Sequence, residues 1–497
     1  MAQNLKLDGK ASKKRRIWIP KSNGDKRPLS IITIQDRAKQ MLLKLALEPE
    51  WEARFEPNSY GFRPGRSTHD AIQAVFNSIR NKPKFVLDAD ISKCFDNIDH
   101  QKLLSKLNTF PMFSRQIKAW LKAGSIDFSN QSLKKETSTT KSGAGQGGVI
   151  SPLLANIALH GLENMIKEHF PAYANRDMKG AIKLFGRAIR PPRIIVYADD
   201  LVIVCEELEI IKQCKQLVED WLRDIGLELN QDKTRIIHTL NKFENQSPGF
   251  EFLGFEIKQF RVGKHHSGQL SNGKKLGTKT IIRPSKKSIK RHYQKIRDTC
   301  SKYKAASAEI LIGHLNPIIR GWCNYYIYGS SKRTFVKLDH LMWIRLWCWS
   351  IRRHNKKNKR WIKNKYFGKD KGWRFNYKKS PRKEYQILLH ANCKAGVRYL
   401  KIKDKKSPFD GDEMYWCKRL GDKYKVTYPQ KARLLKKQEG KCSYCGQNFK
   451  ANDLIEMHHI TPKNKGGNNA DKNILLVHLH CHDKIHACKV DATNQWW

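Results

Sequence analysis

The sequence has no uninterrupted apolar segment long enough to cross a membrane. Its longest apolar stretch, residues 194–204, is broken by two aspartates and is shorter than the roughly 18 residues that a span needs. The amino terminus also lacks the apolar core of a secretory signal, because polar residues and the basic run KKRR at 13–16 follow Met1. We therefore expect an intracellular protein with no membrane partner.

Acidic residues are scarce relative to basic ones. The 497 residues include 96 Lys and Arg against 46 Asp and Glu, which gives a formal net charge of +50. A charge of this size repels itself strongly unless it meets a polyanion. Nucleic acid is therefore the expected partner, ahead of a membrane surface or of a basic enzyme without such a partner.

The cysteines do not form a disulfide framework. All twelve stand singly except Cys442 and Cys445, so most are expected to be small buried residues in a reducing compartment. Only that pair indicates a metal.

Composition divides the chain into several units. Residues 17–260 alternate between strand-like and helix-like patterns, which predicts a mixed domain with a large core. The predicted strands are Phe85–Asp90, Ile194–Tyr197, Leu201–Cys205 and Arg235–Thr239, and the predicted helices are Asp36–Leu47, Thr68–Arg80 and Leu208–Asp224. Residues 285–350 are helical and rich in aromatics. A stretch with 15 Lys and Arg against two acids follows at 351–384, and the last unit starts near Gln430.

Two adjacent aspartates interrupt the apolar run IIVYADDLVIV at 194–204. If the run is a β-hairpin, Asp199 and Asp200 lie in an exposed turn at the end of a buried sheet. Aspartate is also a common turn former, which is the alternative explanation of the pair. A second strand-like run ends in Asp90. Carboxylates from two strand ends at one edge can hold two divalent cations about 3.5–4 Å apart for phosphoryl transfer.

Successive blocks of the sequence resemble those of group II intron reverse transcriptases. They are RPLSIITIQDRAKQ at 27–40, SYGFRPGRSTHDAI at 59–72, DADISKCFDNI at 88–98, QGGVISPLLANI at 146–157, YADD at 197–200, LNQDKTRII at 229–237 and FLGFEI at 252–257. The resemblance implies a right-hand polymerase of fingers and palm. It also implies that Asp90, Asp199 and Asp200 are ligands of Mg²⁺ or Mn²⁺.

The same resemblance assigns roles to residues around these carboxylates. Phe95 would stack under the sugar of the incoming dNTP and exclude a 2′-hydroxyl. Gln146 and Gly147 would line the nucleotide and template pocket, and Lys233 would lie near the triphosphate. Arg63 is a candidate phosphate ligand, with an ordinary surface charge in a Gly/Pro turn as the alternative.

The sequence departs from the family pattern in two places. Few residues precede the block IPKSNGDKRPL, where the family has a longer segment with a template-gripping motif. The usual proline before the QGG block is absent, since the sequence reads SGAGQGG. The first departure concerns template clamping, and the second leaves the catalytic carboxylates unchanged.

Residues 315–326, 335–354 and 360–367 resemble the maturase or thumb domain of the same family. Lys and Arg suit RNA phosphates, and aromatic faces suit unpaired bases or packing. Packing is the expected role of three tryptophans of this region, namely Trp322, Trp343 and Trp347. RNA contact is expected of the basic run at 352–383.

The C-terminal unit carries two pairs of metal-binding residues at the same spacing. Cys442 and Cys445 are the first pair, and His478 and Cys481 are the second. Four such ligands make a closed tetrahedral site, so we expect a structural Zn²⁺ that stabilises a unit with little core.

The sequence around these pairs resembles an HNH nuclease, a ββα-metal fold. The resemblance implies that His459 deprotonates the attacking water and that Asn473 supports the loop that orients His459. It also assigns one divalent metal to His458, His482 and His486. A zinc knuckle that only binds nucleic acid is the alternative.

The predicted protein is an α+β multidomain chain. Its expected units are reverse transcriptase fingers and palm at 1–260, an α-helical thumb and maturase domain at 261–375, a basic DNA-binding linker at 376–430 and a zinc-stabilised HNH endonuclease at 431–497. The expected partners are the intron RNA in a ribonucleoprotein, target DNA and dNTPs, and dimerisation is left open.

These units predict the RNA-directed DNA polymerase of a mobile group II intron, which also assists splicing and nicks DNA to prime reverse transcription. A maturase that only assists splicing is the alternative, and the intact carboxylates argue against it. A reverse transcriptase of a retron or defence system is disfavoured by the maturase-like and HNH-like segments. The expected compartment is the bacterial cytoplasm or the interior of a chloroplast or mitochondrion.

Overall fold

The computed structural model describes residues 6–20, 24, 26–127, 136–138, 142–171, 182–184, 187–270, 272–367, 374–380, 383–420, 429–449 and 453–487. Helices and strands are mixed along these residues, in agreement with the predicted α+β class, and none of the helices in them is long and apolar enough to cross a membrane. Residues 368–373 and 381–382 of the predicted RNA-contacting run, and 421–428 of the predicted linker, lie outside the described residues.

The described elements are as follows in chain order. The strands are β1 (Lys14–Pro20), β2 (Lys26–Ile31), β3 (Phe85–Asp90), β4 (Ser125–Asp127), β5 (Glu136–Ser138), β6 (Ile182–Leu184), β7 (Arg187–Ile189), β8 (Arg193–Tyr197), β9 (Asp200–Cys205), β10 (Arg235–His238), β11 (Phe250–Phe252), β12 (Phe255–Arg261), β13 (Thr278–Pro284), β14 (Asn376–Ser380), β15 (Lys383–Gln386), β16 (Ile455–His459) and β17 (Ile474–His478). The helices are α1 (Ile34–Arg54), α2 (Thr68–Ile79), α3 (Cys94–Asn97), α4 (His100–Leu107), α5 (Pro111–Lys122), α6 (Ser151–Leu159), α7 (Leu162–His169), α8 (Leu208–Asp224), α9 (Lys286–Lys302), α10 (Ala308–Tyr326), α11 (Lys332–Arg353), α12 (Lys359–Tyr366), α13 (Glu413–Leu420), α14 (Pro429–Lys437) and α15 (Leu479–Ala487).

A four-stranded antiparallel sheet of order β10-β3-β9-β8 carries the predicted polymerase carboxylates. Its four strands lie where the sequence predicts them, within one residue at each end. Side chains alternate between two cores: Val202 and Val204 pack with Val75 of α2, whereas Leu201 and Ile203 pack on the side of α8. Because side chains alternate between the two faces of the sheet and both faces are buried, each strand is a continuous apolar run in the sequence.

Capping residues define where several helices begin. The Thr33 hydroxyl accepts a hydrogen bond from the Asp36 N–H at the start of α1, and Ser285 and Ser307 do the same for α9 and α10. Each cap satisfies one of the backbone donors that the first helical turn leaves free.

Helices α9, α10 and α11 pack together beside the sheet β11-β12-β13. Between them lies a buried polar chain in which the His390 Nδ1 contacts the Asp339 carboxylate at 2.7 Å and the His390 Nε2 contacts the His292 Nε2 at 2.8 Å. Trp322 stacks on the His292 ring with a centroid separation of 4.5 Å. The predicted packing role of Trp322 is therefore confirmed.

The described part of the segment predicted as a linker, residues 376–380 and 383–420, packs against the rest of the chain. Ile387, Ile402 and Trp416 in it are buried. The Ile402 N–H donates to the Asp70 carboxylate of α2 at 2.7 Å. A Cβ on Gly65 would lie 2.5 Å from the Trp416 ring, so the loop before α2 approaches this tryptophan as closely as glycine allows.

The C-terminal elements form an antiparallel hairpin of β16 and β17 followed by α15. Helix α14 packs on β17 and on α13. The apolar core of this part includes Leu435, Leu476 and Ile485 and is continuous with the core of the helical region. This order of two strands and a helix is the one that the predicted ββα-metal fold requires.

Candidate active sites

The strand register brings the three predicted polymerase carboxylates to one corner of the sheet. Asp90 at the end of β3 lies opposite Asp200 at the start of β9, and Asp199 is in the tight turn between β8 and β9. Ala198 in this turn has φ +56°, and the Ile91 N–H donates to the Asp199 carbonyl at 2.9 Å. Two strand ends and one turn therefore place the acids side by side.

The environment of this corner opposes ionisation of all three acids at once. Burial, together with the nearby charges of Asp199, Asp90 and Asp88, raises the pKa of Asp200 to about 7. Such a site favours cations that neutralise the carboxylates. A cluster of hard oxygen ligands suits Mg²⁺ or Mn²⁺.

Lys233 is ion-paired within this site. Its Nζ lies 2.6 Å from the Asp90 carboxylate, and this hydrogen bond raises the pKa of Lys233. The loop that carries Lys233 is anchored by the Asn230 N–H, which donates to the Asp90 carbonyl at 2.8 Å. Lys233 thus lies at the carboxylate corner.

The loop of the SYGF motif packs against the aspartate turn. The Tyr60 N–H donates to the Val196 carbonyl and the Val196 N–H donates to the Asn58 carbonyl, each at 2.9 Å. A Cβ on Gly61 would overlap the Ala198 backbone nitrogen. Glycine is therefore required at 61 to let this loop approach the turn that carries Asp199.

Phe95 follows the same corner on the short helix α3. It is half-buried, and its ring contacts Phe62 edge to face with centroids 6.0 Å apart. Phe62 is half exposed and has φ +57°, in the left-handed region that few non-glycine residues adopt. Sequence reasoning missed Phe62, although it stands inside the motif SYGFRPG.

Gln146 and Gly147 connect strand β2 to the short helix α3 beside the carboxylate corner. The side-chain amide of Gln146 donates to the Asp96 carboxylate at 3.1 Å. The backbone carbonyl of Gln146 accepts from the Ser30 N–H at 2.8 Å. Gly147 has φ +112°, and a Cβ there would overlap the Ser30 carbonyl oxygen. The QGG block therefore connects β2 to the short helix α3 that carries Phe95 and Asp96.

The structure differs from the sequence prediction at Arg63. Its guanidinium forms a bidentate pair with Glu52, with both distances 2.9 Å, and also donates to the carbonyls of Glu56 and Ser59. The side chains of Arg63 and Glu52 are each 1% exposed. Arg63 stabilises the loop 56–63 from the inside and is not placed to bind a phosphate.

Two Cys/His clusters of potential metal ligands also occur among the described residues, and both are in the C-terminal part. In the first, the ligand atoms of Cys442, Cys445, His478 and Cys481 all lie within 4.8 Å of one another, and three of the four residues are buried. Three thiols and one imidazole are a donor set that fits Zn²⁺ in a closed site. The two sequence pairs therefore meet in space.

His478 is oriented by a residue that sequence reasoning missed. Its Nδ1 faces the Cys445 sulfur at 3.4 Å, and its Nε2 lies 3.2 Å from the Asp453 carboxylate. A carboxylate behind a ligating imidazole sets the tautomer that points the lone pair at the metal. Burial opposes ionisation of Cys445, but hydrogen bonds from Gln447 and from the other thiols hold its pKa below the usual value.

The second cluster consists of His458, His482 and His486, whose ring nitrogens also lie within 4.8 Å of one another. His458 lies on the hairpin strand β16, one residue before its end, whereas the other two are one turn apart on α15, with 3.2 Å between their Nε2 atoms. Burial lowers the pKa of His458, and the nearby charges of His482 and His486 lower it further. Neutral imidazoles are the form that binds a divalent metal.

His459 is next to this cluster and contacts an asparagine. Its Nε2 lies 2.9 Å from the Asn469 amide oxygen. Asn473 instead joins two backbone segments, since its side chain accepts from the Thr461 N–H at 2.8 Å and donates to the Asn468 carbonyl at 2.8 Å. Asn473 thus supports the loop around His459, while Asn469, which sequence reasoning missed, contacts the imidazole itself.

Aromatic residues of the helical region mostly pack with one another. Trp343 and Trp347 stack at 5.6 Å, and Trp347 also contacts Phe367. Trp361 is different: 36% of its surface is exposed, and the Lys365 ammonium lies 4.6 Å from its ring. An exposed tryptophan beside lysines suits stacking on an unpaired base.

Three family models match successive parts of the chain. The model described as reverse transcriptase (RNA-dependent DNA polymerase) matches residues 19–257. The group II intron maturase-specific domain matches residues 289–367, and the HNH endonuclease matches residues 442–487. The first match includes the carboxylate corner, and the third includes both Cys/His clusters.

Curated proteins show the same similarity. Protein YkfC of Escherichia coli is 34% identical over 50% of this chain and 68% of its own length. Group II intron-encoded protein LtrA of Lactococcus lactis is 30% identical over 66% of this chain and 63% of its own length, so the chain spans less than two thirds of that relative. The COX1/OXI3 intron 2 protein of Saccharomyces cerevisiae is 24% identical over 97% of this chain and 60% of its own length. The chain therefore belongs to the group II intron-encoded proteins, with a reverse transcriptase domain, a maturase-specific domain and an HNH endonuclease domain.

Proposed function

We propose that the protein is the RNA-directed DNA polymerase of a mobile group II intron, and that it also assists splicing of that intron and nicks the DNA into which the intron moves. The observation that carries the proposal is the juxtaposition of Asp90, Asp199 and Asp200 at one corner of the sheet.

The chain's own groups would position the reactants of polymerisation. The primer 3′-hydroxyl attacks the α-phosphorus of a dNTP, a new O–P bond forms, and the bond to pyrophosphate breaks. Two Mg²⁺ or Mn²⁺ ions held by the three carboxylates would supply charge neutralisation at the attacking and leaving oxygens. Lys233, which pairs with Asp90, would meet the triphosphate, and the Phe95 ring would exclude a 2′-hydroxyl.

The HNH domain supports a nicking step that precedes polymerisation. His459 would take the proton of the attacking water as the O–P bond forms and the P–O3′ bond breaks, which leaves a 3′-hydroxyl. A divalent metal bound by His458, His482 and His486 would supply stabilisation of the charged phosphate. That 3′-hydroxyl is the type of end that a polymerase needs as a primer.

The RNA partner is proposed to be the intron itself. The positive charge of the chain and the exposed Trp361 with its lysines support binding of single-stranded RNA. Target DNA and dNTPs complete the proposed partners. Relatives from a bacterium and from a mitochondrial gene intron favour the bacterial cytoplasm or an organelle as the compartment.

We also propose that the first Cys/His cluster binds zinc and that the chain divides into four units. The donor set of the first Cys/His cluster supports a structural Zn²⁺ that stabilises the unit 431–497. The bounds at 260, 375 and 430 are proposed to separate the polymerase, maturase, DNA-binding and nuclease units.

Primer extension on an RNA template tests the proposal. Asp199→Asn with Asp200→Asn is expected to abolish extension while leaving binding of the intron RNA unchanged, because these side chains do not contact the RNA backbone in the proposed role. Asp220→Asn is a matched control, since Asp220 is an exposed acid of α8 that pairs with Arg223. Extension by the double variant at the rate of the control would refute the assignment and favour a maturase without polymerase activity.

A further inference from the structure

Among the described residues, His459 contacts the polar side chain of Asn469, whose amide oxygen lies 2.9 Å from the His459 Nε2. An amide oxygen can only accept a hydrogen bond, so the Nε2 must donate the proton. In the neutral ring the lone pair is then on Nδ1, the nitrogen on the other side of the imidazole.

The loop that carries Asn469 is tied down on both sides. The Gln430 amide of α14 donates to the Asn469 carbonyl at 2.6 Å. Arg433, one turn later on α14, forms a bidentate pair with Asp471 at 2.9 and 3.1 Å. On the opposite side, the Asn473 amide donates to the Asn468 carbonyl.

These ties matter because the contact between Asn469 and His459 is exposed to solvent. An exposed hydrogen bond between two free side chains is readily exchanged for water. Here the backbone on both sides of Asn469 is anchored, so only side-chain torsions remain to be fixed when its amide meets the imidazole.

We infer that Asn469 is a positioning residue of the nuclease, which holds His459 in the tautomer and orientation that present Nδ1 to the attacking water. This inference rests on the proposed nuclease function of the HNH domain. Asn469 contacts neither of the Cys/His clusters in the described hydrogen bonds and acts only through His459. Its role differs from that of Asn473, which contacts backbone at both ends of the loop.

The test compares the full-length protein with three variants on supercoiled plasmid DNA in Mn²⁺. Asn469→Ala is expected to lower kcat for nicking about 10- to 100-fold, the usual effect of removing a group that orients a histidine in a metal site, without change in KM, zinc content or melting temperature. Asn469→Asp should restore most of the activity, because a carboxylate oxygen accepts the same hydrogen bond. Asn468→Ala is the matched control, since the Asn468 side chain only accepts from the Ala470 N–H.

A second measurement is independent of activity. With ¹⁵N-labelled histidine, the His459 ring of the parent should give the nitrogen shifts of a single tautomer protonated on Nε2, identified by their loss in His459→Gln. Asn469→Ala should give averaged shifts of both tautomers. The inference is overturned if Asn469→Ala nicks like the parent, if Asn469→Asp nicks no better than Asn469→Ala, or if the tautomer is the same in all variants. If the parent itself does not nick, the proposed nuclease function fails, and the nitrogen shifts alone decide the inference.

Discussion

Arg419 donates to both carboxylate oxygens of Asp70, at 2.7 and 2.8 Å, although 349 positions separate the two residues. Asp70 is fully buried and also accepts the Tyr399 hydroxyl at 2.9 Å. Arg419 is near the end of α13, the helix that also packs on α14 of the nuclease part. This ion pair therefore joins helix α2 of the reverse transcriptase domain to the element on which the HNH domain rests.

Arg419→Met is expected to destabilise the protein by about 3–5 kcal/mol, because it leaves the buried Asp70 carboxylate without its counter-charge. Asp70→Asn in the same chain should recover part of the loss, since no buried charge then remains. Thermal unfolding of the single and double variants measures the effect. Lys102→Met is the control, because the Lys102–Asp224 pair is exposed, and it should leave the melting temperature nearly unchanged. Equal losses of stability in Arg419→Met and Lys102→Met would contradict this account.

Phe95→Val is expected to raise incorporation of ribonucleotides relative to deoxyribonucleotides by about 10- to 100-fold, because the smaller side chain opens space at the 2′ position. The carboxylates are not altered, so dNTP incorporation should continue. Steady-state kinetics with dNTP and rNTP on one template measure the discrimination. Phe110→Val, at a phenylalanine that is 72% exposed, should behave like the parent. Unchanged discrimination in Phe95→Val would exclude Phe95 as the gate.

Cys442→Ser is expected to lose one zinc per chain and to unfold the C-terminal part, because a structural zinc contributes on the order of 10 kcal/mol to the folding of such a unit. Metal analysis and limited proteolysis measure both effects. Primer extension should persist, since the carboxylate corner is formed by other strands. Cys348→Ser is the matched control at an exposed cysteine. Full zinc content in Cys442→Ser would remove this residue from the ligand set.

Protein stability should fall as the pH is lowered below about 6.5, in part through His292. Burial, and then the nearby charges of His390 and Lys295, lower the pKa of His292 to about 3. Between these two pH values the unfolded chain binds a proton that the folded protein does not, so folding becomes less favourable by up to about 1.4 kcal/mol per pH unit. His292→Gln should flatten the dependence of the melting temperature on pH from 6.5 to 4, whereas His340→Gln, at an exposed histidine, should not. An unchanged slope in His292→Gln would contradict this role.

Local patterns were sufficient to predict the elements that carry the proposed chemistry. Apolar runs rich in β-branched residues and bordered by aspartate predict strands β3, β8 and β9 and their carboxylates, because the period of side chains along a strand is a property of the backbone alone. The two ligand pairs of the Cys/His cluster were equally visible, since ligands on one turn or knuckle have short and regular spacing. These predictions depend on neighbours in the sequence.

Other features were decided only by the tertiary structure. Arg63 stands in a Gly/Pro turn that suggests an exposed charge, but the fold places Glu52 beside it and buries both. Asn469 is one of several polar residues in a loop, and only the packing of α14 against that loop directs its amide to His459. The segment after β15 is basic and is typical of a linker, yet its Trp416 and Arg419 meet Gly65 and Asp70 of the reverse transcriptase domain. In each case the partner is supplied by a distant element, so its identity depends on how the elements pack and not on any period or spacing within the sequence.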